Sequence, residues 1–293
     1  MTAPRSKTPG AAGLLLACAA LAMGGLVWSS RHTSESGLSP DLLSRLFGDQ
    51  PRSLLAAEAN EGGPHPPQQP RWQTPLRASC SAPQPQLRER LLGRLAVLRQ
   101  AGADLAIDPT NYGERYRRDT KGRRLDPTPR LIVLHETVYG IGSAINTFVT
   151  PHPNDEDQVS YHAVIGLDGS IVKTLDPSKR AFGAGNSAFN GHWAITNPNF
   201  KGSVNNFALH VSLETPLDGE NEALSHSGYT SSQYDALAVL LADWMQRFPI
   251  PFNQITTHAH VDLGGERSDP RSFDWQALQR RLAALGMLCQ RAG

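Results

Sequence analysis

The sequence predicts an α/β domain, a mixed central β-sheet flanked by helices. Apolar runs of strand length recur from Arg130 onward, Asp168-Gly169 joins two of them as a hairpin, and helix-period stretches stand between and after them. With 293 residues and 39% hydrophobic content, the chain has enough apolar side chain to bury a core.

The N-terminus reads separately from that domain. Arg5 and Lys7 precede a mostly apolar run from Ala11 to Trp28, the pattern of an export signal. The run is close to the roughly 20 residues that span a bilayer. Residues 1–30 are therefore a signal peptide or an N-terminal membrane anchor, with a lipid on Cys18 as a third option. Residues 31–79 are rich in Pro, Gly and Ser and read as a linker, with Glu61 to Pro70 its most biased passage. Residues 80–127 form a helical extension, because Leu87, Leu91, Leu95 and Leu98 recur at helical spacing over 84–100. The main domain occupies residues 128–293.

Within it, Leu131-Ile132-Val133-Leu134 is a continuous apolar run, the mark of a buried strand. Tyr161 to Leu167 and Ile171 to Leu175 flank the Asp168-Gly169 turn. Phe207 to Leu213 is a fourth strand. Thr230 and Gln233 have the spacing of a capping box ahead of a helix from Tyr234 to Phe248. A short strand, Ile255-Thr256-Thr257, and a closing helix from Trp275 to Leu285 complete the set.

A net charge of +1 argues against a nucleic-acid binder, which normally shows a basic face. Cys80 and Cys289 are the two cysteines left after Cys18 in the apolar run. In an oxidising compartment an even pair permits a disulfide tying the start of the domain to its last helix; two unrelated buried thiols are the alternative.

The chemistry centres on His135 and His258, each at the end of a core strand, and on Asp269 in the loop Asp262 to Pro270. Two imidazoles and a carboxylate, with a fourth position open, suit catalytic zinc. No compact metal motif is present, and a lone strand-end histidine is more often structural.

The ordered set Leu134-His135-Glu136-Thr137, Ser160-Tyr161-His162 before the hairpin, Thr257-His258, Arg267-x-Asp269-Pro270 and Phe273-Asp274-Trp275 resembles the type 2 N-acetylmuramoyl-L-alanine amidase family, which includes peptidoglycan recognition proteins. The resemblance covers residues 128 to 286. It implies the amidase type 2, peptidoglycan-recognition-like fold, and Zn²⁺ held by His135, His258 and Asp269. It also implies a tyrosine near the metal at Tyr161 and a cation at Arg267, where the family usually has Lys. The activity implied is zinc-dependent hydrolysis of the amide between the muramoyl lactyl group and L-alanine, with peptidoglycan or muropeptides as partners. An exported location follows, in the periplasm or envelope, with membrane attachment through the N-terminal segment.

Three positions depart from the family. Ser212 stands where members often carry Glu, and Glu214, two residues on and on the same strand face, is the candidate substitute general base, with an exposed glutamate at a strand end as the alternative. Gly183 replaces a histidine found in some members. His260 shares a face with His258 if the strand continues, which makes it a rival ligand. The long loop Gly183 to Asn199 is rich in Gly, Asn and aromatic residues, so Asn186, His192 and Trp193 are candidate substrate contacts. The opposing reading is a binding module of the same fold without catalysis; a zinc peptidase acting on the stem peptide is a third.

Overall fold

The computed structural model describes residues 64–81, 84–101, 105–198 and 201–289, and the elements below are those of the described residues. The export segment and Cys18 lie outside them, as does residues 31–63 of the expected linker. No helix among the described residues is long and apolar enough to cross a membrane.

Strand β1 (Tyr112–Glu114) follows helix α1 (Pro85–Gln100). Next come β2 (Leu131–Glu136), α2 (Ile141–Val149), β3 (Ala163–Ile165), β4 (Ile171–Lys173) and β5 (Lys179–Ala181). After them run β6 (Ala208–Leu213), α3 (Ser231–Arg247), β7 (Ile255–Thr257), the single turn α4 (His258–Val261) and α5 (Trp275–Ala284). Five strands form the central sheet in the order β4-β3-β6-β2-β7, mixed because β4 alone runs antiparallel to its neighbour. This is the mixed α/β architecture expected from the sequence.

The alternation along β2 divides its side chains between two faces. Ile132 and Leu134 join Leu209, Val211 and Ile255 beneath α1, α3 and α5, forming the main core. Leu131 and Val133 face the other way, into a smaller cluster with Val204, Phe207 and Val261. By the same alternation His135 points away from the three-helix layer. Helix α3 is central and buried nearly all round, and Thr230 caps it reciprocally with Gln233 as its sequence predicts.

Helix α1 is scaffold. Leu91 and Leu95 enter the main core, while Arg90 and Arg99 pair with Asp235 and Asp243 of α3 at 2.9 and 3.0 Å. The Cys80–Cys289 disulfide is formed and joins two points of the chain 209 residues apart.

The structure corrects the linker boundary. Residues 64–79 lie against the domain: Leu76 is in the main core, and Trp72 packs on His260 and Trp275, with ring centroids 4.6 and 5.9 Å away. Gln69 donates to the His260 carbonyl at 3.2 Å. A stretch of low-complexity composition is held by two apolar side chains that periodicity does not register.

Two elements escaped the sequence. The β1–β5 pair is too short to show a period. Helix α2 has Gly140 at its cap position and no local side-chain cap; its first amide is satisfied from far along the chain, by Glu214.

Candidate metal centre and active site

His135 and His258 come to one point because β2 and β7 are adjacent and parallel, with Leu134 in register with Thr257. Each histidine is the next residue along. The loop after α4 then returns Asp269 to the same place, where its backbone carbonyl accepts the Ala259 amide at 3.0 Å. One ligating atom from each of the three lies within 4.8 Å of the others. Asp269 Oδ1 is 3.0 Å from His258 Nδ1, and Oδ2 is 3.3 Å from His135 Nδ1.

The surroundings at this point favour a neutral His135 imidazole and an ionised Asp269 carboxylate. Burial, followed by the neighbouring His258, pushes His135 down to about 4, against the opposing pull of Asp269. Burial alone would raise the Asp269 carboxyl, but the imidazoles of His135 and His258 beside it outweigh that and hold it well below the usual range. A metal ligand needs these two protonation states.

Tyr161 stacks on His135 with centroids 4.5 Å apart, and burial pushes its hydroxyl up so that it stays protonated. Arg267 is exposed and lines an open cleft of about 890 Å³, together with Tyr161, His258 and Asp269. Tyr116, from the segment following β1, forms part of the same wall. The N-terminal extension thus divides into a scaffold helix and a stretch that reaches the cleft.

Other expected residues are not brought to this point. Glu214 lies just beyond the end of β6, and both its carboxylate oxygens are engaged. Oε1 accepts the Ile141 amide and Oε2 the Leu167 amide, each at 2.8 Å. It caps α2, where an anion suits the exposed amides and the positive end of the helix dipole, and it does not line the cleft. Asn186, His192 and Trp193 do not line it either: Trp193 lies on Gly202 and donates to the Pro64 carbonyl at 3.0 Å, and the Asn186 carbonyl accepts the Leu263 amide at 3.0 Å. The cleft takes Gly183, Gly185, Thr196 and Asn197 from that loop instead.

His260 is removed as a rival ligand by local geometry. The strand stops at Thr257, whose side chain caps α4, and residues two apart on a helix point to nearly opposite sides. His260 faces Trp72 and Phe189 instead.

Two groups of site residues were given no role by the sequence. Glu136, buried beside His135 in sequence, is held by Arg271, His226 and Tyr229, which fastens the loops after β6 and before α5 to the end of β2. His210 lies wholly buried against His135, its Nδ1 3.0 Å from His135 Nε2.

Residues 125–272, about half of the chain, match the family model described as N-acetylmuramoyl-L-alanine amidase. The chain belongs to the type 2 N-acetylmuramoyl-L-alanine amidase family. Among relatives of this amidase-family chain, the 1,6-anhydro-N-acetylmuramyl-L-alanine amidase of Citrobacter freundii is 29% identical over 118 residues, 40% of this chain and 54% of the relative. The match thus spans about half the length of that relative. The Escherichia coli K12 protein of the same name is 28% identical over 51% of this chain and 80% of its own length. A crystal structure of an AmpD derivative aligns with 62% of this chain and 95% of its own at 23% identity and a TM-score of 0.45.

The family implies zinc, and the donor set fits it. His135 Nδ1 is buried and makes no hydrogen bond, although it faces the Asp269 carboxylate. An orphaned buried nitrogen is costly in a folded protein, and a metal at the convergence of the three side chains removes that cost. Two imidazoles and a carboxylate bordering an open cleft are a donor set of catalytic rather than structural zinc.

Proposed function

We propose that this chain hydrolyses the amide bond between the lactyl group of N-acetylmuramic acid and L-alanine, in peptidoglycan or muropeptides, with zinc held by His135, His258 and Asp269. The observation that carries this reading is the convergence of the His135 and His258 imidazoles and one ionised carboxylate, Asp269, at a point bordering the cleft. When bound, the ion supplies Lewis-acid activation of the amide carbonyl and of water.

The chain's own groups do the rest. The two histidines, set at strand ends, and Asp269, returned to them by the loop after α4, hold the reacting centre at a fixed place. Arg267 presents a charge at the cleft without an ion-pair partner among the described residues, so it can steady negative charge developing on the carbonyl oxygen. Tyr161, kept protonated by burial, is a hydrogen-bond donor beside His135. The names of the relatives point to 1,6-anhydromuropeptides as one substrate form. The disulfide supports an oxidising compartment, and so an exported protein working in the periplasm or envelope, with the N-terminal segment as signal or anchor.

A binding module remains the second reading, because Ser212 occupies the position of the family's glutamate and Glu214 is engaged elsewhere. Turnover separates the two. Purified zinc-loaded protein is expected to release new L-alanine amines from anhydromuropeptides, detected by mass spectrometry. Chelator and His135→Ala are both expected to abolish the release. Tight binding with no release would leave recognition as the function, and amines appearing on another residue would mark a peptidase.

A further inference from the structure

His210 projects from β6 onto the same sheet face as His135, since Val133 is in register with His210 and His135 with Ser212. Its imidazole fills the space above Gly183. A Cβ built at position 183 would lie 2.5 Å from His210 Nδ1 and 2.6 Å from its Cγ, so the ring can occupy this place only opposite a glycine. The backbone is pinned as well: the His210 amide donates to His162 Nδ1 at 3.0 Å.

We propose that His210 is a positioning residue for the metal centre, accepting a hydrogen bond from His135 Nε2 so that His135 Nδ1 is presented as a lone pair to the ion. This rests on the metal-dependent reading given above. A single proton lies between the two imidazoles, and it can belong to either ring. If His210 owned it, His135 would carry its own proton on Nδ1, pointing at Asp269 and His258, and could not ligate. With the proton on His135 Nε2, His210 Nδ1 is the acceptor and the His210 proton sits on Nε2, which has no partner in the structure. A metal-ligating histidine commonly donates its second N–H to a carboxylate or carbonyl, which fixes ring orientation and tautomer. Here an imidazole takes that place, and Gly183 is the space it needs. The glycine at position 183 is thereby explained by the room that the His210 ring requires.

The test is metal affinity of the full chain, by competition of Zn²⁺ with a chromophoric chelator, for His210→Asn, His210→Phe and Gly183→Ala. Asparagine keeps an acceptor where Nδ1 stood, whereas phenylalanine keeps the ring without one. The expected result is a loss of roughly 10- to 100-fold for His210→Phe and within about threefold of the parent for His210→Asn. Gly183→Ala, which displaces the imidazole without removing it, is expected to follow His210→Phe. The visible absorption of the Co²⁺-loaded protein should change for phenylalanine and alanine but not for asparagine. Unchanged affinity in folded His210→Phe and Gly183→Ala overturns the proposal while leaving the metal centre intact. Equal losses for asparagine and phenylalanine overturn the acceptor role. A parent protein that binds neither ion overturns the metal-dependent reading itself, and this inference with it.

Discussion

Glutamine and alanine at position 214 separate a catalytic base from a structural clasp. Glu214 accepts two backbone amides, from Ile141 and Leu167, each at 2.8 Å. Hydrogen bonds to a charged group contribute about 1.5–3 kcal/mol each; the half-buried setting points to the lower figure. Alanine leaves both amides without their acceptor, and the expected loss is about 3 kcal/mol. In a domain of this size that lowers Tm by roughly 6–12 °C. Glutamine keeps one acceptor oxygen and is expected to cost about half as much. A general base contributes on the order of 10²- to 10⁴-fold in rate, so the two roles diverge in the glutamine variant. The clasp predicts a lowered Tm with kcat within a few-fold of the parent protein at a temperature where both are folded. Differential scanning calorimetry and a muropeptide turnover assay read the two quantities. A Glu214→Gln protein with the parent's Tm and kcat reduced a hundredfold or more would refute the clasp and restore Glu214 as the base.

Three further outcomes are expected. His258→Ala abolishes zinc binding in equilibrium dialysis, whereas His260→Ala, whose ring faces Trp72 and Phe189, leaves affinity within about twofold, since second-sphere effects reach only groups that touch a ligand. In metal-free protein, burial holds His135 at about 4 and His162 at about 3, below the ordinary 6.5. Between those values the unfolded chain binds more protons, so this contribution to stability is complete above about pH 6.5 and is lost as pH falls toward 3–4. Thermal melts between pH 7.5 and 4 should show the decline, and a flat profile would contradict it. Cys80→Ser opens a link across 209 residues and is expected to cost about 2–4 kcal/mol, or roughly 4–16 °C in Tm, with reductant giving the same shift in the parent but none in the variant.

The legible parts of the fold are those in which neighbouring residues decide the outcome. Strand β2 shows as four consecutive apolar residues, and the capping box of α3 is a pair three positions apart. Helix α2 was hidden because its cap comes from Glu214, 73 residues away. The strap at residues 64–79 was hidden because its anchors, Trp72 and Leu76, lie within a composition typical of linkers. Substrate contacts assigned to Asn186, His192 and Trp193 followed loop composition, which does not specify which side of the loop meets the cleft.

The sequence by itself determined most of the elements and the family and singled out three candidate ligating side chains, because strand-end histidines and an ordered set of motifs are local patterns. Tertiary structure decided which of two chemically equal groups does which task. His258 rather than His260 faces the centre because the chain turns helical after Thr257. Glu214 serves α2 rather than the reaction because two backbone amides reach it. His210 gains a role because Gly183, 27 residues earlier, leaves room for its ring. Each outcome depends on which atoms lie within about 3 Å of one another, the reach of a hydrogen bond, and folding sets that distance between residues far apart along the chain.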